Sequence, residues 1–262
     1  MAKLNQKTSF GLIAKEYQKY RRSYDPKLYK LLFSFLPSKK SNESLNILDI
    51  GCGTGKSTEP IVKLAGKRKV SVTGVDPDPR MLREARLSAR KQKLSIVYVK
   101  GSAEKLPFQK EEFDGVISGT AFHWYGNKKT VSKIKSAVKE GGVFFVFWTQ
   151  YVKSNKKAVG HNLYHKYNWR GIGKKFRGQE SLGKLLSQSG FKKVKFAKIL
   201  FSEKRTVSHI INNLKTNSSY LLMSPKNKND FIRELTAAYK KTLGNKKYFT
   251  EKLELLVCYG FK

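Results

Sequence analysis

The stretch Leu45-Asn46-Ile47-Leu48-Asp49-Ile50-Gly51-Cys52-Gly53-Thr54-Gly55 decides how the rest of this sequence is read. Its first six residues make a short apolar strand, and a helix through about Ala65 follows the glycines. A glycine turn between strand and helix lets a ligand approach the backbone closely, at the place where open α/β sheets bind ligands. Three ligand classes compete for it. A dinucleotide turn reads G-x-G-x-x-G, whereas here the glycines fall at 51, 53 and 55. A phosphate-binding P-loop is suggested by Gly55-Lys56-Ser57, but that pattern needs a glycine where Ile50 stands, so Lys56 reads as a solvated helix-start residue. A nucleoside without a bound phosphate remains. Asp76 supports it: it ends the second strand, 21 residues beyond Gly55, where a carboxylate can accept hydrogen bonds from both ribose hydroxyls. Helix capping ahead of Pro77 is the competing role.

Working outward, strands and helices alternate. Residues 10–36 form an amphipathic helical region with a break at Pro26. Val70–Val75, Ser95–Val99, Phe113–Ser118 and Val143–Trp148 are further strands; Pro79–Lys91 and Thr130–Val138 are helices. Short, largely apolar strands in this rhythm imply a parallel sheet covered on both faces. The rhythm breaks at 151–178, a polar, aromatic stretch that reads as an insertion over the active-site edge. Glu180–Ser189 and Asp230–Leu243 follow as helices, and Lys192–Phe201 and Leu253–Phe261 as strands. Residues 204–222 are weakly patterned. The expectation is one α/β domain over 1–262, a doubly wound sheet of seven mostly parallel strands, the last antiparallel.

Fifty-four Lys and Arg against nineteen Asp and Glu give a net charge of +35, spread along the whole chain. Such a balance attracts anions, including nucleic acid, or is simply a solvated Lys-rich surface. Lys predominates over Arg, which favours the second reading, because Arg is the better phosphate fork. Cys52 and Cys258 lie too far apart in sequence for a ligand-type pair and read as reduced thiols, hence a cytoplasmic expectation. The start Met1-Ala2-Lys3-Leu4-Asn5-Gln6 lacks an apolar signal core, and no apolar run approaches a membrane span.

Leu48–Gly55, Gly74-Val75-Asp76-Pro77, Gly101-Ser102-Ala103-Glu104-Lys105-Leu106-Pro107-Phe108, Phe113-Asp114 and Lys139-Glu140-Gly141-Gly142 resemble, in order, the motifs of class I S-adenosylmethionine-dependent methyltransferases. They are most similar to the subgroup with a type 11 methyltransferase domain. The resemblance covers about residues 10–150 strongly and implies S-adenosylmethionine as cofactor. It places Asp49 and Gly51 at the methionine part, with Gly53 and Gly55 keeping the turn clear. Asp76 would hold the ribose, Pro77 would lie near the adenine, and Ser102 and Ala103 along the adenine edge. Ser102 stands where the family often has an acid, and Glu140 where it usually has Pro.

Tyr17-x-x-Tyr20-Arg21-x-x-Tyr24-x-Pro26, Gly119-Thr120-Ala121-Phe122-His123-Trp124 and Phe147-Trp148 look like the trans-aconitate methyltransferase-type branch, which acts on small molecules. That likeness implies an N-terminal helix closing over the cofactor, with Tyr17, Thr120 and Trp124 against it. Arg21 would pair with the cofactor's carboxylate or with a substrate carboxylate. The three tyrosines fit a plain packing face as well. His123 stands where the methyl acceptor must sit and either orients or deprotonates it, or packs locally. Trp124 offers a ring face to the sulfonium or walls the pocket. His161, Tyr164, His165, Tyr167 and Trp169 are further lining candidates. His161 and His165 have helical metal-pair spacing but no third ligand, so no metal is expected. The leading function is methyl transfer to oxygen of a small-molecule acceptor. The rivals are an RNA methyltransferase, which the charge favours, and a non-catalytic cofactor-binding protein.

Overall fold

Alternation within single strands shows how the sheet is covered. In the fifth strand Phe144 and Val146 face one core cluster while Phe145 and Phe147 face the other, and in the first strand Leu48 and Ile47 divide the same way. A period of two with both faces apolar puts helices on both sides. The computed structural model describes residues 9–40, 42–105, 108–152, 159–167 and 179–262. A 3-10 turn, Ser9–Ile13, leads into α1 (Ala14–Tyr20) and α2 (Pro26–Phe35). Then come β1 (Leu45–Ile50), α3 (Glu59–Lys63), β2 (Val70–Asp76), α4 (Pro79–Lys91), β3 (Val97–Lys100), β4 (Phe113–Gly119), α5 (Lys128–Ala137) and β5 (Val138–Tyr151). The chain continues through α6 (His161–Lys166), α7 (Gln179–Gln188), β6 (Lys192–Arg205), α8 (Val207–Lys215), α9 (Ser218–Leu221), α10 (Pro225–Leu243) and β7 (Phe249–Phe261).

The sheet order is β3-β2-β1-β4-β5-β7-β6. The first five strands are mutually parallel, and β7 runs antiparallel to both β5 and β6. The expected seven strands and antiparallel last strand are therefore present. The order reverses between β1 and β4, so a crevice opens there at the strands' carboxyl ends. Helix α2 packs Leu28, Tyr29, Leu32 and Phe33 on one face; α5 and α7 pack Val131, Ile134, Leu182 and Leu186 on the other.

Two details differ from the sequence reading. The N-terminal helical region is broken at residues 21–25, because Asp25 caps α2 by accepting from the Lys27 amide and Pro26 fits only the first turn. The weakly patterned stretch forms α8 and α9. Val207, Ile210, Ile211 and Leu214 recur at helical spacing and join Phe231, Leu235 and Tyr239 of α10 and Leu163 of α6 in a core of their own. This cluster caps the crevice. The cap is thus larger than the insertion expected at 151–178, of which 153–158 and 168–178 lie outside the described residues.

Candidate active site

The turn after β1 is pinned to the end of β2: the Gly51 and Cys52 amides both donate to the Val75 carbonyl, at 2.8 and 3.0 Å. Gly51, Gly53 and Gly55 all have positive φ, at +75°, +54° and +86°, a region costly to other residues. A Cβ on Gly51 would stand 2.4 Å from the Cβ of Ala121. Asp76 closes the turn from the other side. Its Oδ2 accepts from the Gly53 amide and its Oδ1 from the Asp78 amide, both at 2.9 Å. Burial outweighs these bonds and raises its pKa to about 6.

Beyond this turn lies a cavity of about 740 Å³, within the ~300–1,000 Å³ usual for small-ligand sites. Of the site residues expected from the sequence, Tyr17, Arg21, Gly51, Gly53, Asp76, Pro77, Ser102, Ala103, Thr120, His123 and Trp124 come together in its lining. Asp49 and Gly55 do not line it. Asp49 is fully buried, and its Oδ2 accepts from the hydroxyls of Ser57 at 2.6 Å and Thr58 at 2.7 Å. It therefore holds the start of the helical turn and does not line the cavity. Burial, against those two donors, lifts its pKa to about 6. Gly55 keeps clear of Tyr98, whose hydroxyl would lie 2.5 Å from a Cβ there. Trp148 packs against the core beneath the α5–α7 face. Tyr164 lines the cavity, while Tyr167 donates to Glu234 at 2.7 Å instead. Trp169 and the His161 side chain lie outside the described residues. No group of three or more His, Cys, Asp or Glu gathers as a metal site among the described residues.

At the end of β4, Thr120 has a φ of +53°. A β-branched residue there is strained, at a cost on the order of 1–3 kcal/mol, and such strain concentrates at ligand sites. It is held by its amide bond to Phe147 at 2.8 Å and by its hydroxyl against that of Tyr24 at 2.9 Å. Next to it, His123 and Trp124 sit in a 3-10 turn with ring centroids 4.7 Å apart. Burial, and then the charge of Arg21, push the His123 imidazole down to about 4. It is neutral at physiological pH, a hydrogen-bonding group rather than a strong base.

Arg21 leaves the end of α1 over the cavity. It donates to Oδ1 of Asn217 at 2.7 Å, its guanidinium lies 5.3 Å from the Tyr17 ring centroid, and it forms no ion pair among the described residues. Phe10 meets both Tyr17 and Trp124 edge-on. Tyr20 does not join them; it packs edge-on against His209. The sequence reading missed Tyr151 at the end of β5 and the residues supplied by the cap, Leu214, Asn217, Ser218, Ser219 and Tyr239. The helical spacing of Val207, Ile210, Ile211 and Leu214 was the available signal for part of them. Glu104 was also missed as a lining residue, two positions beyond the serine that replaces the family's usual acid.

The arrangement offers a carboxylate beside close-packed glycine backbone, an apolar slot formed by Val75, Pro77, Met81 and Ala103, and one guanidinium with spare donors. Comparison with known proteins agrees. Residues 47–142 match the family model described as a methyltransferase domain. An uncharacterised methyltransferase of Mycobacterium tuberculosis is 31% identical over 140 residues, 53% of this chain and 51% of that protein. The ubiquinone biosynthesis O-methyltransferase of Methylocella silvestris is 41% identical over 76 residues, 29% of this chain and 28% of that one. The chain thus spans about half the length of the first of these relatives, or less. Phosphoethanolamine N-methyltransferase 2 of Haemonchus contortus, solved with S-adenosylhomocysteine, superposes with a TM-score of 0.56 at 18% identity, over 98% of this chain and 58% of that one, and shares the fold. The glycine turn and Asp76 both lie inside the matched segment, so residues 47–142 carry a methyltransferase domain, and the sheet around it shares the fold of the solved methyltransferases.

Proposed function

We propose that the protein transfers a methyl group from S-adenosylmethionine to a carboxylate oxygen of a small, largely apolar acceptor. The observation that carries this reading is the cavity wall. Among the described residues Arg21 is the only Lys or Arg that lines it, together with two acids, Asp76 and Glu104, and a majority of apolar and aromatic side chains. A polyanion finds little to hold on this lining, which argues against acceptor recognition through the chain's positive charge.

The walls suit the cofactor. Asp76 keeps lone pairs beyond its two amide bonds for the ribose hydroxyls, and the Val75–Pro77–Met81–Ala103 slot suits an adenine face. Gly51 and Gly53 permit close backbone approach, and Tyr17 and Trp124, each edge-on to Phe10, add aromatic wall. When bound, S-adenosylmethionine supplies an electrophilic sulfonium methyl with a neutral thioether as leaving group. The lining then decides which acceptor suits. His123, held near 4, is a weak base, and burial pushes the lining phenols of Tyr125, Tyr151, Tyr164 and Tyr239 upward. A hydroxyl acceptor would have only the carboxylates of Asp76 and Glu104 to take its proton, and Asp76 is tied to two backbone amides on the ribose side of this reading. A carboxylate needs no base, and apolar walls favour a reaction that turns two opposite charges into neutral products. Likeness to the ubiquinone O-methyltransferase supports oxygen as the acceptor atom, and likeness of Tyr17–Pro26 to the trans-aconitate-type branch supports the carboxylate. The two buried free cysteines suit a reducing, cytoplasmic setting. No helix among the described residues is long and apolar enough to cross a membrane.

The test is labelled methyl transfer to matched acids, alcohols and phenols, with transfer RNA and a scrambled RNA of equal length as further acceptors. Base-labile methyl esters from the acids alone are expected. RNA retention should be equal for both sequences and collapse between ~0.05 and ~0.2 M salt, as counterion release requires. Methylated RNA, or transfer RNA held at ~0.15 M salt while the scrambled RNA is released, would overturn the reading.

Cofactor binding should also depend on pH. In the free protein Asp76 titrates near 6, and hydrogen bonds from ribose hydroxyls favour its ionised form. Binding therefore lowers its pKa and releases a proton below that value. Affinity for S-adenosylhomocysteine is expected to be flat above pH 7 and to fall by up to ~10-fold per unit below pH 6. Calorimetry from pH 5 to 8 measures this, and a flat profile would remove Asp76 from the ribose site.

A further inference from the structure

The cap, which no cofactor motif covers, contributes its own chemistry to the cavity. Asn217 sits between α8 and α9, and its Oδ1 is the atom that meets the Arg21 guanidinium at 2.7 Å. A guanidinium can only donate, so the amide must turn its oxygen to Arg21 and leave its NH₂ for other partners. The corner formed by Arg21 and Asn217 consequently presents donors alone. It is a place for an oxyanion.

The same lining holds three tyrosines whose hydroxyls are already engaged. Tyr151 donates to Oε1 of Glu251 at 2.9 Å, and Glu251 in turn pairs with Arg22 at 2.7 Å. Tyr164 and Tyr239 hydrogen-bond to each other. Each ring is also fixed by a neighbour: Tyr239 edge-on to Phe249 at 5.3 Å, Tyr164 tilted on Phe231 at 5.8 Å, and Tyr151 beneath the Arg22 guanidinium at 5.8 Å. With their polar ends held by protein, these residues offer the ligand aromatic carbon. Rings fixed in place favour a flat π-system over a flexible alkyl chain, since ring–ring contact adds to simple burial.

We propose that the cap is the specificity element, that Asn217 with Arg21 grips one carboxylate oxygen of the acceptor, and that Tyr151, Tyr164 and Tyr239 select an aromatic body. The acceptor class is an aryl-substituted carboxylic acid. The inference rests on the methyl-transfer reading but is tested apart from it. The transfer balances as written: one carboxylate oxygen stays on the clamp, the other forms the new O–CH₃ bond as the S–CH₃ bond breaks, and no proton moves. Asn217 and the tyrosines are specificity residues, distinct from the residues that would hold the cofactor.

Phenylacetate and octanoate share charge and carbon number and differ in the ring, and phenylacetamide removes the charge. Their binding is measured by calorimetry on the full chain saturated with S-adenosylhomocysteine. Phenylacetate is expected to bind ~3- to 10-fold more tightly than octanoate, and Tyr239→Leu to erase the difference while preserving bulk. Asn217→Asp turns a carboxylate toward the clamp, and should weaken phenylacetate ~10-fold or more while leaving phenylacetamide within ~2-fold. Octanoate binding as well as phenylacetate, neither acid binding, or a ring preference that survives both Tyr239→Leu and Tyr164→Leu would overturn the proposal. Thermal melting and S-adenosylhomocysteine affinity report folding of each variant. Failure to bind S-adenosylhomocysteine at all would count against the proposed function, whereas intact cofactor binding without acid discrimination would sink the cap inference alone.

Discussion

Gly51→Val is expected to lower the affinity for S-adenosylhomocysteine by more than ~100-fold. Two costs coincide. At φ +75° a β-branched residue is an outlier, costing ~1–2 kcal/mol or more for the backbone alone. The new Cβ would also stand 2.4 Å from that of Ala121, which is buried and has no flexible end to move aside. The turn must then shift, breaking the paired bonds from the Gly51 and Cys52 amides to Val75 that set the cavity floor. Gly66→Ala separates the two costs. Gly66 has a similar φ of +63° and nothing within 4 Å of a Cβ, so it should lose ~1 kcal/mol of stability and no cofactor affinity. Calorimetric titration with thermal melting measures both variants. Binding by Gly51→Val within ~3-fold of the unaltered protein would refute the account of the turn.

This contrast also shows why some parts of the site were legible in the sequence and others were not. The glycine turn, Asp76 and Thr120–Trp124 announce themselves because backbone geometry restricts which residues can stand there, and strand ends bring them to one crevice. Asp49 misled because spacing places it beside the turn without showing which way its side chain leaves β1. Burial and the Ser57 and Thr58 hydroxyls turn it inward. The cap was hidden for a different reason. Tyr164 was named from the sequence, but Leu214, Asn217 and Tyr239 reach the cavity only because α6, α8 and α10 bury a cluster of their own. That is a tertiary event between segments distant in the chain. Local periodicity could reveal α8 as a helix, but not what it leans on.

Asp76→Ala should cost ~1.5–3 kcal/mol of cofactor binding, the range for hydrogen bonds to a charged group, or roughly 10- to 150-fold. The bare loss would be ambiguous, because Asp76 also ties down the Gly53 and Asp78 amides and its removal loosens the turn. A ligand change resolves the ambiguity. If the carboxylate accepts from the ribose, the unaltered protein should bind 2′-deoxy-S-adenosylhomocysteine more weakly than the parent compound, while Asp76→Ala should hardly distinguish them. The coupling between the two changes, read from a double cycle, then isolates the hydroxyl–carboxylate bond from the turn's own geometry. Asp76→Asn gives an intermediate case. Its amide carries one acceptor in place of two, so one of the two backbone amides must lose its bond and the ribose must face a neutral group. Its affinity should fall between the others, and the fall in affinity below pH 6 should vanish. A 2′-hydroxyl worth the same to all three proteins would show that Asp76 shapes the turn without touching the ligand.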